Sequence, residues 1–240
     1  HGKYLGRIDL DVKGGEVVDY SSTLIPVFSD VITPDPEMSA HIDALRAPYE
    51  AECNRVIGST SGLLYRRGNF NGTWDDLICQ GIIEERDAEI SLSPGFRWGT
   101  TLLPGQDITI EDLYTQTSMS YPNVYRTEMT GAQIKTILED VCDNLFNIDP
   151  FYQQGGDMVR VGGMNYTCAP KASMGNRISD LTMTKTGEKL DADRKYVVGG
   201  WASVNENVEG PAIYDLMEGY ISWKKSIDLP AQQAVKVIGL

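Results

Sequence analysis

The chain is poor in the residues that build metal and redox sites. It has two histidines, His1 and His41, and four cysteines, Cys53, Cys79, Cys142 and Cys168, with no Cys-x-x-Cys among them. A structural zinc site needs Cys and His ligands clustered at short spacing, so no metal site is expected in this chain. Four cysteines leave room for one disulfide, and Cys142 with Cys168 is the expected pair. The competing reading is that cysteines on helix faces are small buried hydrophobes. No apolar run approaches the ~18 residues that cross a membrane. Cations are scarce as well: 21 Lys and Arg stand against 34 Asp and Glu, a net charge of −13. A nucleic acid wants a basic face, so that class of partner is disfavoured. The charge suits a basic or neutral partner without identifying one. No internal repeat or low-complexity segment occurs.

What is present is ordinary for a folded protein. The 240 residues are 41% hydrophobic and 23% charged, enough to bury a core. The chain begins His1-Gly2 and not Met, so a piece of a longer or processed protein is expected. Tyr4, Ile8, Leu10 and Val12 alternate, Gly14-Gly15 makes a turn, and Glu16 to Tyr20 returns, which predicts a hairpin. Residues 21–34 read as an extended linker. Asp35 and Pro36 start a helix, as N-cap and first-turn proline, and Pro48 is expected to kink it or end it near Ala47.

The stretch from Ala88 to Thr109 carries the most chemistry. Ala88 to Leu92 alternates as a strand does. At Pro94-Gly95 the strand must stop. Phe96, Arg97 and Trp98 then stand on a turn before Gly99. An arginine between two aromatics, after a glycine turn at a strand end, suits an anion, because loop N–H groups and the guanidinium fork all donate. The alternative is that Phe96 and Trp98 are core and Arg97 is a solvated charge.

Further on, Thr109 with Asp112 and Thr130 with Gln133 read as capping boxes. Ile134, Ile137, Leu138, Val141, Cys142 and Leu145 then mark one face of a helix that must pack on a sheet. Trp74 to Ile83 and Pro211 to Gly219 are shorter helices. Met158 to Val161 is a strand, Arg177 to Met183 is expected to pair with Tyr196 to Val198, and Ala234 to Ile238 is a last strand. Strands mixed with a few helices, without a strict βαβ period, predict an α+β fold with a mixed sheet and packed helices.

The order Ser-Pro-Gly-Phe-Arg97, Leu-Pro-Gly-Gln-Asp-Ile-Thr109, Tyr121-Pro-Asn123, Met129-Thr-Gly131, Gly155-Gly156 and Tyr196-Val-Val198 resembles the C-terminal domain of the 5′-nucleotidase family over about residues 55–220. The runs SPGFRWGTTLLPGQDIT, SYPNVYRTEMTGAQ and GPAIYDLMEGYISWKKS look most like its thiosulfohydrolase branch, from the bacterial Sox sulfur-oxidation pathway. The resemblance implies a domain plan. Residues 1–34 would be the final hairpin of an absent N-terminal metallophosphatase domain plus linker, 35–54 a linker helix, and 55–240 the substrate-recognition domain.

It also implies a chemistry. Two divalent metals, manganese in that branch, sit in the N-terminal domain and activate a water. The substrate is a cysteine-bound thiosulfonate on a sulfur-carrier protein, sulfate is released, and the compartment is the periplasm. This chain alone would then be inactive. Arg97 matches the family's anion-holding arginine, with Gly95, Phe96 and Trp98 around it. Asn123 matches the family's asparagine, with Tyr121 in a phenylalanine's place. Tyr121, Trp98 and Arg160 are expected to line the channel for the carrier arm, or, for Arg160, to face solvent from a strand.

Nucleotidases of the family stack the base between two phenylalanines from later loops. The corresponding loops here, 155–158 and 207–212, have none, a loss of roughly 1–3 kcal/mol of stacking per ring. A 5′-nucleotidase or other phosphoesterase domain, and a non-catalytic protein-binding module, are the competing functions.

Overall fold

The computed structural model describes residues 2–66, 68–96, 98–203, 208–229 and 233–239. The chain divides into two compact units, 1–51 and 52–240.

The first unit is a hairpin and a helix. Strands β1 (Tyr4–Lys13) and β2 (Glu16–Pro26) run antiparallel through Gly14 and Gly15, whose φ of 62° and 88° are what a two-residue hairpin turn demands. Ile8 faces Ser22 and Leu10 faces Tyr20 across the ribbon. Side chains alternate along a strand, so Tyr4, Ile8 and Leu10 share one face with Tyr20 and Leu24. That apolar face is open, with Ile8 67% and Leu24 69% exposed. Helix α1 (Pro36–Arg46) is capped by Asp35, whose side chain accepts from the Met38 N–H. It stops at Arg46, two residues short of Pro48, as proline requires.

A single turn, α2 (Glu50–Cys53), leads to the second unit, which is α+β with mixed sheets. Its elements run β3 (Val56–Thr60), α3 (Thr73–Arg86), β4 (Ile90–Gly95), β5 (Asp107–Thr109), α4 (Ile110–Thr117), β6 (Tyr125–Thr130) and α5 (Gly131–Phe146). There follow β7 (Asp157–Gly162), β8 (Met164–Cys168), β9 (Ile178–Met183), β10 (Lys195–Gly200), α6 (Ile213–Lys224), β11 (Ser226–Ile227) and β12 (Val235–Val237). Among the described residues the sheets have strand orders β6-β10-β4-β7, β11-β3-β5 and β12-β8-β9.

Both capping boxes form. Thr109 exchanges hydrogen bonds with Asp112, and Thr130 with Gln133. The predicted stripe of α5 turns inward: Ile134, Leu138 and Cys142 pack with Ile90 of β4, Val198 of β10 and Tyr166 of β8. A separate cluster gathers Trp74, Ile78 and Ile82 of α3 with Met217, Tyr220 and Ile221 of α6.

One strand pairing differs from expectation. Residues 178–183 do not pair with 196–198. Strand β9 pairs antiparallel with β8, while β10 lies between β6 and β4. The cause is local. Thr182 bridges Lys189, and Met183 donates its N–H to Glu188, so the chain after β9 folds back on itself. It then crosses the start of α5, where Gly131 donates to Arg194 and Ala132 to Ala192, and enters the other sheet.

Candidate functional site

Strand β4 is the platform. Ile90 to Ser93 are all buried, between β10 on one side and β7 on the other. The register with β7 shifts between Ser93 and Gly95, which brings Gly95 opposite Asp157. A Cβ at Gly95 would lie 2.6 Å from the Asp157 carbonyl oxygen, so the backbones touch here and only glycine fits. Gly95→Ala is therefore expected to cost about 1–3 kcal/mol and to displace the turn that follows. A fall in the urea midpoint would show the first effect, and a change in Trp98 fluorescence the second.

The turn that leaves β4 is aromatic. The Phe96 ring stacks on Trp98 with centroids 4.0 Å apart and planes 17° from parallel. It meets Trp201 edge-on at 5.6 Å. The Trp201 indole N–H donates to Ser93 Oγ at 2.9 Å, tying the loop after β10 to β4. Phe96 is half-buried and Trp98 is 37% exposed, so the pair forms a ledge at the surface. Gly99, at φ 117°, ends it against the Gln116 side chain. Arg97 lies outside the described residues.

Beneath the ledge is a buried charge network that sequence reasoning missed. Asp75, in the first turn of α3, accepts from Arg66 Nε at 3.0 Å through one oxygen and from Arg160 Nε at 3.1 Å through the other. All three side chains are 2% exposed or less. Arg66 also donates to the Gln116 carbonyl and, at 3.4 Å, to the Pro94 carbonyl. Its guanidinium sits 4.8 Å from the Phe96 centroid and 5.8 Å from that of Trp201. One cation thus fixes the Pro94 backbone and two rings, Phe96 just after β4 and Trp201 on the loop after β10. Burial pushes the Asp75 carboxyl up, and the two guanidiniums act the other way.

Arg160 is the correction. Expected at the substrate channel or in solvent, it is internal. Besides Asp75 it reaches the Gly68 carbonyl at 2.6 Å and Asp157 at 3.3 Å. Strand β7 contacts α3 and α5 as well as its neighbours, and five of its six residues, Arg160 among them, are buried. A guanidinium there is stable only with partners.

Asn123 and Tyr121 sit on the segment before β6. Asn123 Nδ2 donates to the Val208 carbonyl at 2.8 Å, and the Asn123 backbone bridges Ala212. Both residues are exposed or partly so. Val208 joins Ser93, Pro94, Arg126, Trp201 and Ala202 in the wall of an open groove of about 1330 Å³. The groove therefore links the end of β4 to the segment that Asn123 holds. Gly95, Phe96 and Trp98 follow Pro94 at the edge of this groove in sequence, and Asn123 touches its wall through Val208. Tyr121 is beside Asn123 in sequence and makes no ring contact among the described residues.

The loop after α5 adds aromatics outside the two segments compared above. Phe151 is 96% exposed and Tyr152 is 64% exposed. Among the described residues no group of three or more His, Cys, Asp or Glu side chains could hold a metal ion. No described helix is long and apolar enough to cross a membrane.

The model of a family described as 5′-nucleotidase, C-terminal domain, matches residues 56–226. Among solved structures, the sulfate thiohydrolase SoxB of Thermus thermophilus, in complex with glycerol, is 33% identical with a TM-score of 0.90. It aligns over 100% of this chain and 45% of its own. A 5′-nucleotidase precursor, also from Thermus thermophilus, is 16% identical at a TM-score of 0.80, over 100% of this chain and 50% of its own. The NAD nucleotidase of Haemophilus influenzae is 14% identical at 0.62, over 98% and 53%. This chain spans about half the length of these relatives. No curated protein matches it.

Proposed function

Since the chain belongs to the 5′-nucleotidase C-terminal-domain family, we propose that residues 55–240 recognise the substrate of a dimetal hydrolase that releases sulfate from a cysteine-bound thiosulfonate on a sulfur-carrier protein. The observation that carries this reading is the whole-chain likeness to a sulfate thiohydrolase at 33% identity. The geometry supports it. A sulfonate is a compact anion on an unbranched arm, and it wants donors and a ledge more than a pair of stacking rings. The segment Pro94 to Trp98 offers a backbone that Arg66 holds at the Pro94 carbonyl and a surface of stacked Phe96 and Trp98 rings. In this reading Arg97 and the loop N–H groups hold the sulfonate oxygens. Trp98, Phe96 and Tyr121 guide the arm, and Asn123 keeps the neighbouring segment in place. Holding the anion in one orientation lowers the entropy cost of attack at sulfur.

The rest of the enzyme lies outside this chain in the same reading. The open apolar face of β1 and β2 fits a ribbon, residues 1–34, that completes a metallophosphatase domain, with 35–54 as the connecting helix. Two divalent ions, manganese in this proposal, belong to that domain and supply the activated water. The compartment is the periplasm. The 240 residues alone are expected to hydrolyse nothing, with or without added manganese; metal-dependent turnover by this piece would refute the division of labour.

A nucleotidase is the second reading, favoured by Phe151 and Tyr152, whose rings are free to stack on a base. Full-length protein assayed in parallel on carrier-bound thiosulfonate and on AMP separates the two. Sulfate release without phosphate release is the expected result, and the reverse would sink the sulfonate assignment.

A further inference from the structure

We propose that Cys142 and Cys168 are an oxidative cross-linking site, joined as a disulfide when the chain folds in the presence of a thiol-oxidising protein disulfide. Their Sγ atoms lie 3.6 Å apart, on different elements and 26 residues apart in sequence. Cys142 is on α5 and Cys168 is the last residue of β8. Both are fully buried and carry free thiols in this structure. A bonded pair needs about 2.05 Å between sulfurs, so small rotations about the side chains close the gap.

The surroundings hold the two cysteines together before any bond forms. Cys168 is fixed on both sides of its strand, opposite Ile178 of β9 and Val237 of β12. On α5, Glu139 accepts the N–H groups of Gly175, Arg177 and Ile178, at 2.9, 3.3 and 2.8 Å. Arg177 also pairs with Asp143. The loop between β8 and β9 is thus tied to the helix on either side of Cys142. The other two cysteines offer no rival partner. Cys53 is half-buried at the start of the second unit, and Cys79, on α3, is buried against Gly162 of β7.

The electron balance is that of two thiol–disulfide exchanges. One cysteine thiolate attacks a sulfur of the oxidant's disulfide, makes a mixed disulfide and releases one oxidant thiol. The second thiolate attacks the bonded protein sulfur, closes Cys142 to Cys168 and releases the other oxidant thiol. The chain loses two electrons and two protons, which end on the oxidant's two thiols. Because both sulfurs are inaccessible once α5 has seated, the exchange belongs to the folding chain. A chain that folds reduced stays reduced.

The link would staple α5 to the β12-β8-β9 sheet, and it does not depend on the reaction this domain serves. The test uses full-length protein made once in an oxidising compartment and once in a reducing one. Each preparation is alkylated without reduction and mapped by mass spectrometry. A peptide joining Cys142 to Cys168 is expected from the oxidising preparation alone, with a melting temperature higher by roughly 5–10 °C. The Cys142→Ala protein should show neither the joined peptide nor the difference between preparations. Alkylation of both cysteines in the oxidising preparation, or a link from either one to Cys53 or Cys79, would overturn the proposal.

Discussion

Arg97→Ala in the full-length protein should lower kcat/KM for a carrier-bound thiosulfonate by about 10²–10³ while leaving the melting temperature within a degree or two. The size is that of losing one donor aimed at a developing negative charge. The neutrality for stability follows from the supports of the turn. Gly95 is fixed by its contact with β7, and Phe96 by its stacking on Trp98 and by Arg66. Arg97→Lys should recover part of the rate, since one point charge replaces a fork of donors. Retention of full activity in Arg97→Ala, or a matching loss of stability, would remove the anion-holding role. A parallel Trp98→Ala variant, measured on the same substrate, should raise KM more than it lowers kcat if, as proposed, the ledge meets the arm and not the reacting centre.

The second large effect is on stability. Asp75→Ala should cost about 3–5 kcal/mol, because it leaves two buried guanidiniums without their shared carboxylate. For a unit of this size that is a fall in melting temperature of roughly 6–20 °C. The pair Lys195 and Glu128 makes a useful contrast. It is equally short at 3.1 Å but 66% and 62% exposed. Glu128→Ala should therefore change stability by no more than about 0.5 kcal/mol. Thermal unfolding of the two variants side by side checks both numbers. Equal losses would mean that burial is not what gives the Asp75 network its weight.

The parts of the fold that could be read in advance are those with local causes. The caps at Thr109 and Thr130, the stripe of α5, the stop before Pro48 and the end of β4 at Gly95 each depend on residues within a few positions. The partner of β9 could not be read, because β9 and β10 are similar short strands and only the fold-back at Thr182 and Lys189 separates them. Arg160 was misplaced for a related reason. In a strand covered on both faces, alternation no longer marks an outside. Asp75 did leave a trace. It lies at helical spacing with Ile78 and Ile82, on the buried side of α3, and a carboxylate there demands a cation. Arg66, nine residues earlier in a polar loop, gave no sign of being that cation.

Arg66 also has a genetic consequence. The guanidinium that shares Asp75 with Arg160 also grips the Pro94 carbonyl and underlies the Phe96 ring. Alleles that alter it should behave as thermolabile ones, active in cells grown cool and lost on warming. A selection for failed substrate capture would then return positions deep in the interior as often as positions at the mouth.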